Sequence, residues 1–173
     1  LAYNSLIKAY AKKGLIQMAA QAFDRMENSK PPIKPSVVTF NTLIDACART
    51  GNIQQAKAMM NELIKRGLKP NERTFSSIVH AYCHAGLVDE AGKEILNMQK
   101  SGMKPTAVTY SLFLHALGQK GHLSSAFAVL DKMKSLGMKP NVVTMSALIN
   151  ACGKNDQLEM AFGLFESMKQ ELK

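Results

Sequence analysis

Five short polar side chains occupy one repeated position in the chain, near the start of successive predicted helices. They are Asn4, Asn41, Ser76, Ser111 and Ser146. We place them in the first helical turn, off the apolar stripe, where an amide or hydroxyl can hydrogen-bond the edge of a nucleobase. The alternative is local capping, because Asn and Ser often satisfy backbone groups in a first turn. Their common register favours ligand contact for the set.

A second repeated row lies near the C-terminal ends of the same helices and is mostly basic. It consists of Lys12, Arg49, His84, Gln119 and Lys154, with Lys13 and Lys120 beside it. The whole chain has 22 Lys and Arg against 13 Asp and Glu, a formal net charge of +9, and such an excess favours a polyanionic partner. We predict that Lys12, Arg49, His84 and Lys154 contact phosphates. Complementing the helix dipole is the alternative for these side chains.

Residues that could support catalysis or bind a metal do not form a recognisable motif. His80 and His84 are four residues apart with Cys83 between them, but no Glu general base accompanies them and no third ligand is implied. The three cysteines include no CxxC pair, which argues against a disulfide framework or a zinc knuckle and favours a reducing compartment. We therefore predict a non-enzymatic chain without metal or cofactor. No run of 18 apolar residues predicts a membrane span.

Both rows follow a period of 35 residues, which three independent markers share. The markers are Pro35, Pro70, Pro105 and Pro140; Thr39, Thr74, Thr109 and Thr144; and Ala56, Ala91, Ala126 and Ala161. The first unit is longer by two residues, and Lys30-Pro31-Pro32 is the expected site of this insertion, in a loop. The predicted units are 1–36, 37–71, 72–106, 107–141 and 142–173, the first and last incomplete, as expected for an excerpt of a longer protein.

Each unit contains two helical patterns. In the second unit, Phe40, Leu43, Ile44 and Cys47 form one apolar stripe, and a second stripe begins at Ile53. We expect the phased threonines to lie just before the first helices as caps, and glycines such as Gly51 to turn the chain between helices. A lone hairpin cannot bury its apolar face, so the predicted fold is an all-α, right-handed solenoid of helix-turn-helix repeats, with the first helices along a concave groove.

The motifs separate this chain from the tetratricopeptide family, which has the same general architecture but an early Trp that is absent here. Segments 37–44, 107–114 and 142–149 read VVTFNTLI, AVTYSLFL and VVTMSALI, and segments 67–71 and 137–141 read GLKPN and GMKPN. These resemble the beginning and end of pentatricopeptide repeats. The resemblance covers essentially all 173 residues, and the constant unit length resembles the P-type subclass.

The resemblance implies an array that binds single-stranded RNA, about one base per unit. It implies that the phased polar residues read bases together with a residue at the end of each unit: Ser36, Asn71, Thr106 and Asn141. It further implies that base faces stack on Leu1, Val38, Arg73, Val108 and Val143. Arg73 departs from the apolar pattern, although a guanidinium plane can also stack.

The family's base preferences imply the order 5′-C-Y-R-A-R-3′. They also imply a role in RNA stability, processing, splicing or translation in a chloroplast or mitochondrion, and further protein partners could bind through the rest of a longer chain. The alternative is a protein-binding scaffold for an acidic peptide. The phased polar pairs favour RNA, since a peptide groove does not require them.

Overall fold

The computed structural model describes residues 2–171, with side chains described as far as Lys169. This part of the chain folds into ten α-helices and contains no strand, which confirms the all-α prediction. The helices are α1 (Ala2–Lys12), α2 (Ile16–Glu27), α3 (Val37–Arg49), α4 (Ile53–Lys65), α5 (Glu72–His84), α6 (Val88–Lys100), α7 (Ala107–Lys120), α8 (Leu123–Ser135), α9 (Val142–Lys154) and α10 (Leu158–Glu171). None of these helices is long and apolar enough to cross a membrane.

The chain divides into two compact units, residues 1–104 and 105–173. In the first, α1, α3 and α5 pack side by side, and each packs against the helix that follows it in the chain. In the second, α7 packs against α8 and α9, and α9 packs against α10. Each compact unit is therefore a stack of helical hairpins, in which the first helix of one hairpin contacts the first helix of the next.

The predicted apolar stripes form the core. Phe40, Leu43, Ile44 and Cys47 are all buried in α3, and Leu63 is buried on the facing side of α4. Burying side chains of this size contributes about 1.5–3 kcal/mol each. A hairpin gains this stabilisation only when a neighbouring hairpin covers its stripe, which is why the repeats stack.

The first helices of the second to fifth units begin three residues earlier than expected. Thr39 and Thr74 are not caps before α3 and α5 but the third residues inside them, and the capping residues are Ser36 and Asn71. The same correction applies to Thr109 and Thr144, whose helices are capped by Thr106 and Asn141. The physical reason is a reciprocal capping box, in which the cap accepts from the threonine N–H while, in α3 and α5, the threonine hydroxyl accepts from the N–H of the cap.

The connections agree with the sequence. Gly51 and Gly121 have φ of +71° and +74° at the turns between paired helices, where a side chain would be strained. Residues 28–36 separate α2 from α3, whereas residues 66–71 separate α4 from α5. The longer first connection contains Pro31 and Pro32, which confirms that the insertion lies in a loop.

An arginine joins the ends of two second helices. The Arg66 guanidinium pairs with the carboxylates of Glu27 and Glu62, and these partners raise its pKa. Its central carbon lies 5.7 Å and 5.5 Å from the ring centroids of Phe23 and Phe40. Arg66 therefore ties the first hairpin to the second through charge and through contact with aromatic faces.

Candidate nucleic-acid interface

The five phased polar residues lie on the first helices, but two of them are buried. Asn41 is 3% exposed and Ser111 is 6% exposed. Asn4 and Ser76 are half-buried, and Ser146 is exposed. The expectation that all five lie off the core is therefore wrong for Asn41 and Ser111. The reason is that α5 packs on α3 and α9 packs on α7, so the following hairpin covers these side chains.

The second unit brings its predicted reading pair into direct contact. The Asn41 side chain donates from Nδ2 to Oδ1 of Asn71 over 3.0 Å. Thr74, in the following helix, donates its hydroxyl to Oδ1 of Asn41 over 2.6 Å. The Asn71 oxygen also accepts from the backbone N–H of Thr74 over 3.1 Å. Three side chains from two successive units thus form one closed hydrogen-bond network.

Two further pairs are connected through a threonine in the same way. Thr39 donates to Oδ1 of Asn4 over 2.8 Å, and its oxygen lies 3.3 Å from Oγ of Ser36. In the second compact unit, the networked residues are Ser111, Thr144 and Asn141, with distances of 3.0 Å from the Thr144 oxygen to each partner. The arrangement therefore recurs in the first, second and fourth units, with different side chains in each.

The residues that end the units cap the next helices and remain exposed. Ser36, Asn71, Thr106 and Asn141 are all exposed at the N-termini of α3, α5, α7 and α9. Capping uses the side-chain oxygen of Asn71 and Asn141 and does not use the amide nitrogen of either residue. Capping and ligand contact, which are alternatives in the sequence, are compatible in these two side chains.

Exposed apolar side chains stand in the first turn beside these pairs. Val38, Val108 and Val143 are 66%, 67% and 53% exposed, values unusual for valine. Arg73 is exposed at the corresponding position of α5, and Leu1 lies outside the described residues. Each of the three valines has an exposed apolar side chain against which a planar group can pack.

The basic row lies at the helix C-termini, as predicted, but two of its members have protein partners. Arg49 pairs with Asp45 over 2.6 Å, and Lys154 donates to the backbone carbonyl of Gln119. Lys12 and His84 are exposed. Lys154 thus acts partly as a helix cap, which is the alternative weighed for this row.

The histidines and cysteines offer no second site. The rings of His80 and His84 lie 6.3 Å apart, edge to face, and no cluster of metal-binding side chains occurs among the described residues. Burial lowers the pKa of His80 and raises that of the Cys47 thiol to about 11. Burial also raises the pKa of Cys83 to about 12, so both thiols stay protonated at neutral pH.

The contact between each threonine and the preceding unit was missed by sequence reasoning. The 35-residue phase marked Thr39, Thr74 and Thr144 as special, but their spacing suggested only capping. The additional partner is 33 or 35 residues earlier in the chain, in another unit. Only the packing of one first helix on the next reveals it.

The fold and the phased site define the class as an α-helical repeat protein built from two-helix units. The pentatricopeptide repeat domain family matches residues 1–47 and 94–155, more than half of the chain. The PPR repeat family matches residues 35–84 and 140–171, and a PPR repeat matches residues 73–103. The chain belongs to the pentatricopeptide repeat family.

Relatives from Arabidopsis thaliana match over short segments. A putative pentatricopeptide repeat-containing protein is 36% identical over 61 residues, which are 35% of this chain and 8% of that protein. A chloroplastic pentatricopeptide repeat-containing protein is 30% identical over 67 residues, which are 39% of this chain and 8% of that protein. The matched segments therefore span less than a tenth of these relatives.

Solved structures share the fold over nearly the whole chain. The pentatricopeptide repeat protein PPR10 from maize is 27% identical, with a TM-score of 0.77 over 97% of this chain and 24% of that one. PPR10 in complex with an 18-nt psaJ RNA element is 24% identical, with a TM-score of 0.85 over 98% of this chain and 25% of that one. The PPR domain of Arabidopsis protein-only RNase P 1, in complex with tRNA, is 17% identical, with a TM-score of 0.77 over 96% of this chain and 87% of that domain.

Proposed function

We propose that this chain binds single-stranded RNA in a defined order, with about one base for each repeat. The observation that carries the proposal is the recurring network of a polar pair and a threonine, of which Asn41, Asn71 and Thr74 are the clearest case. In the second and fourth units the first helix that contributes to the network also carries an exposed valine, Val38 or Val108, so that one base can be stacked and hydrogen-bonded at the same unit. The net charge of +9 favours a polyanion.

The proposed base order is 5′-C-Y-R-A-R-3′. Asn4 with Ser36 would read cytosine, and Asn41 with Asn71 a pyrimidine. Ser76 with Thr106 would read a purine, Ser111 with Asn141 adenine, and Ser146 a purine. The family resemblance carries these assignments, and the RNA complexes of the PPR10 and RNase P 1 structures are consistent with them only at the level of ligand class.

The experiment is a fluorescence anisotropy titration with two labelled RNAs of identical composition, one with the proposed order and one scrambled. Tighter binding of the ordered RNA supports the proposal. Equal affinity would remove the base assignments. Failure to bind either RNA would overturn RNA binding itself.

A protein-binding scaffold is the second candidate, because the exposed basic side chains would also suit an acidic peptide. A Glu-rich peptide of matched charge distinguishes the two functions in a competition assay. If the peptide displaces the ordered RNA only by weak, salt-sensitive competition, the RNA proposal stands. Peptide binding with RNA affinity near background would favour the scaffold.

We further propose that occupancy, rather than catalysis by this segment, is the means of action. A protein seated on a transcript blocks exonucleases or alters RNA folding, and so supports RNA stability, processing, splicing or translation. Each base contact contributes about 1–3 kcal/mol, so these units alone give limited specificity. The chloroplastic relative is consistent with action in a chloroplast or mitochondrion.

A further inference from the structure

A threonine from the following unit fixes the orientation of each side-chain amide in the second unit's network. Backbone N–H groups can only donate, so the atom of Asn71 that faces the N–H of Thr74 must be its oxygen. The atom of Asn41 that faces this oxygen must then be its nitrogen. The remaining oxygen of Asn41 therefore faces the Thr74 hydroxyl and accepts from it over 2.6 Å, a shorter contact than the 3.2 Å from the same hydroxyl to the oxygen of Asn71.

The fourth unit has the opposite hydrogen-bond polarity. The oxygen of Asn141 faces the backbone N–H of Thr144 over 2.9 Å and also accepts from the Thr144 hydroxyl over 3.0 Å. This hydroxyl has one proton, which Asn141 uses. The remaining contact, 3.0 Å between the Ser111 and Thr144 oxygens, is therefore satisfied when Ser111 donates.

We infer that Thr74 and Thr144 are positioning residues that set the hydrogen-bond polarity presented by the reading pair of the preceding unit. Thr74 donates to Asn41, so the oxygens of the pair are used within the network, and the N–H groups of the amides are the polar atoms that the second unit would present to a base. Thr144 accepts from Ser111, which leaves the Ser111 lone pairs as acceptors and the amide nitrogen of Asn141 as the donor of this pair. The inference rests on the proposed function.

The polarity of the fourth unit has a direct consequence for base choice. An acceptor beside a donor complements the 6-amino group and N1 of adenine. Guanine presents an acceptor and a donor in the reverse order on the same edge. If Thr144 no longer accepts from Ser111, the Ser111 hydroxyl is free to turn and donate. It can then donate to O6 of guanine as well as accept from the 6-amino group of adenine, so the Ser111 contact no longer distinguishes the two bases.

The test compares two RNAs that differ only by adenine or guanine at the fourth position. For Thr144→Val, which removes the hydroxyl at nearly constant volume, the ratio of the two affinities should fall about tenfold towards one. Thr144→Ser restores the hydroxyl and should restore the ratio. Thr74→Val is the matched control, because it should change the preference at the second position and leave the adenine-to-guanine ratio at the fourth unchanged.

A purely structural role for Thr144 would lower both affinities together and leave their ratio unchanged. An unchanged ratio in Thr144→Val therefore overturns the inference while RNA binding stands, and so does a wild-type chain that binds RNA without preferring adenine. A wild-type chain that binds neither RNA overturns the proposed function. Thermal melting followed by circular dichroism checks the fold, and Thr144→Ala replaces the valine variant if that variant melts below the assay temperature.

Discussion

At the scale of single residues, the end-of-unit asparagines combine helix capping with the proposed role in base reading. The oxygen of Asn71 caps α5 and accepts from Asn41, and the residue as a whole is exposed. Its amide nitrogen takes no part in the cap. This division of atoms means that helix stability and base choice can be changed separately. A substitution that keeps the oxygen and replaces only the nitrogen changes base choice with little effect on stability.

Asn71→Asp is such a substitution. Aspartate is as good a helix cap as asparagine, so the melting temperature should change little. The carboxylate replaces a donor with an acceptor, which favours the N3–H of uracil over the unprotonated N3 of cytosine. We expect the uracil-to-cytosine affinity ratio at the second position to rise about tenfold in anisotropy titrations. Asn97→Asp, an exposed change on α6, should leave this ratio unaltered, and an unchanged ratio in Asn71→Asp would contradict the assignment of this pair.

Asp156 gives a prediction about stability alone. It has φ of +56° between α9 and α10, where the preceding units have glycines such as Gly121. A side chain in this backbone conformation is strained, so Asp156→Gly should raise the free energy of unfolding by about 0.5–1 kcal/mol. Denaturant unfolding measures the change. Asp131→Gly, inside α8, should instead lower stability by about 1 kcal/mol, and a stability loss in both variants would show that the strain is absent.

At the scale of helices, the packing of α7 against α9 leaves no room for a side chain at Gly118. A Cβ on Gly118, in α7, would lie 2.4 Å from the carbonyl oxygen of Ala147, in α9. Ala48 occupies the corresponding place in the second unit, so the repeat as such does not require a glycine there. The close approach of α7 to α9 is a local feature that only Gly118 permits.

Gly118→Ala should therefore be destabilising although alanine is the better helix former. The clash is with backbone, which cannot turn aside, and overpacking costs about 1–3 kcal/mol, more than the ~1 kcal/mol gained in helix propensity. The matched control is Gly163→Ala in α10, where nothing lies within 4 Å and stability should rise. Denaturant unfolding of both variants checks the prediction, and a gain of stability in Gly118→Ala would be incompatible with this packing.

The sequence predicted most of these helices and little of the contact between them. The apolar stripe of Phe40 and Ile44 and the turn at Gly51 follow from local rules of spacing and conformation. The burial of Asn41 and the hydrogen bond from Thr74 to Asn41 depend on how one hairpin packs against the next. Spacing along one chain carries no such information. The sequence therefore placed the phased polar residues on the first helices but did not predict the burial of Asn41 and Ser111, and their role in reading bases stays a prediction.

At the scale of the whole molecule, charge and repetition point to one kind of ligand. The repeats give an ordered series of similar sites, and the net charge of +9 attracts a polyanion. Base pairing would occupy the base edges that the polar pairs are proposed to read, and stacking would cover the base faces proposed to meet Val38 and Val108. We therefore expect the chain to bind RNA whose bases are unpaired and unstacked.

The most direct test of the central claim is the affinity of the chain for one RNA as a single strand and as a duplex with its complement. Fluorescence anisotropy at fixed salt measures both with the same labelled strand carrying 5′-C-Y-R-A-R-3′. We expect clear binding of the single strand and at least about tenfold weaker binding of the duplex. Equal affinity for the two would show that charge alone holds the RNA, and would contradict the proposal that each repeat reads a base.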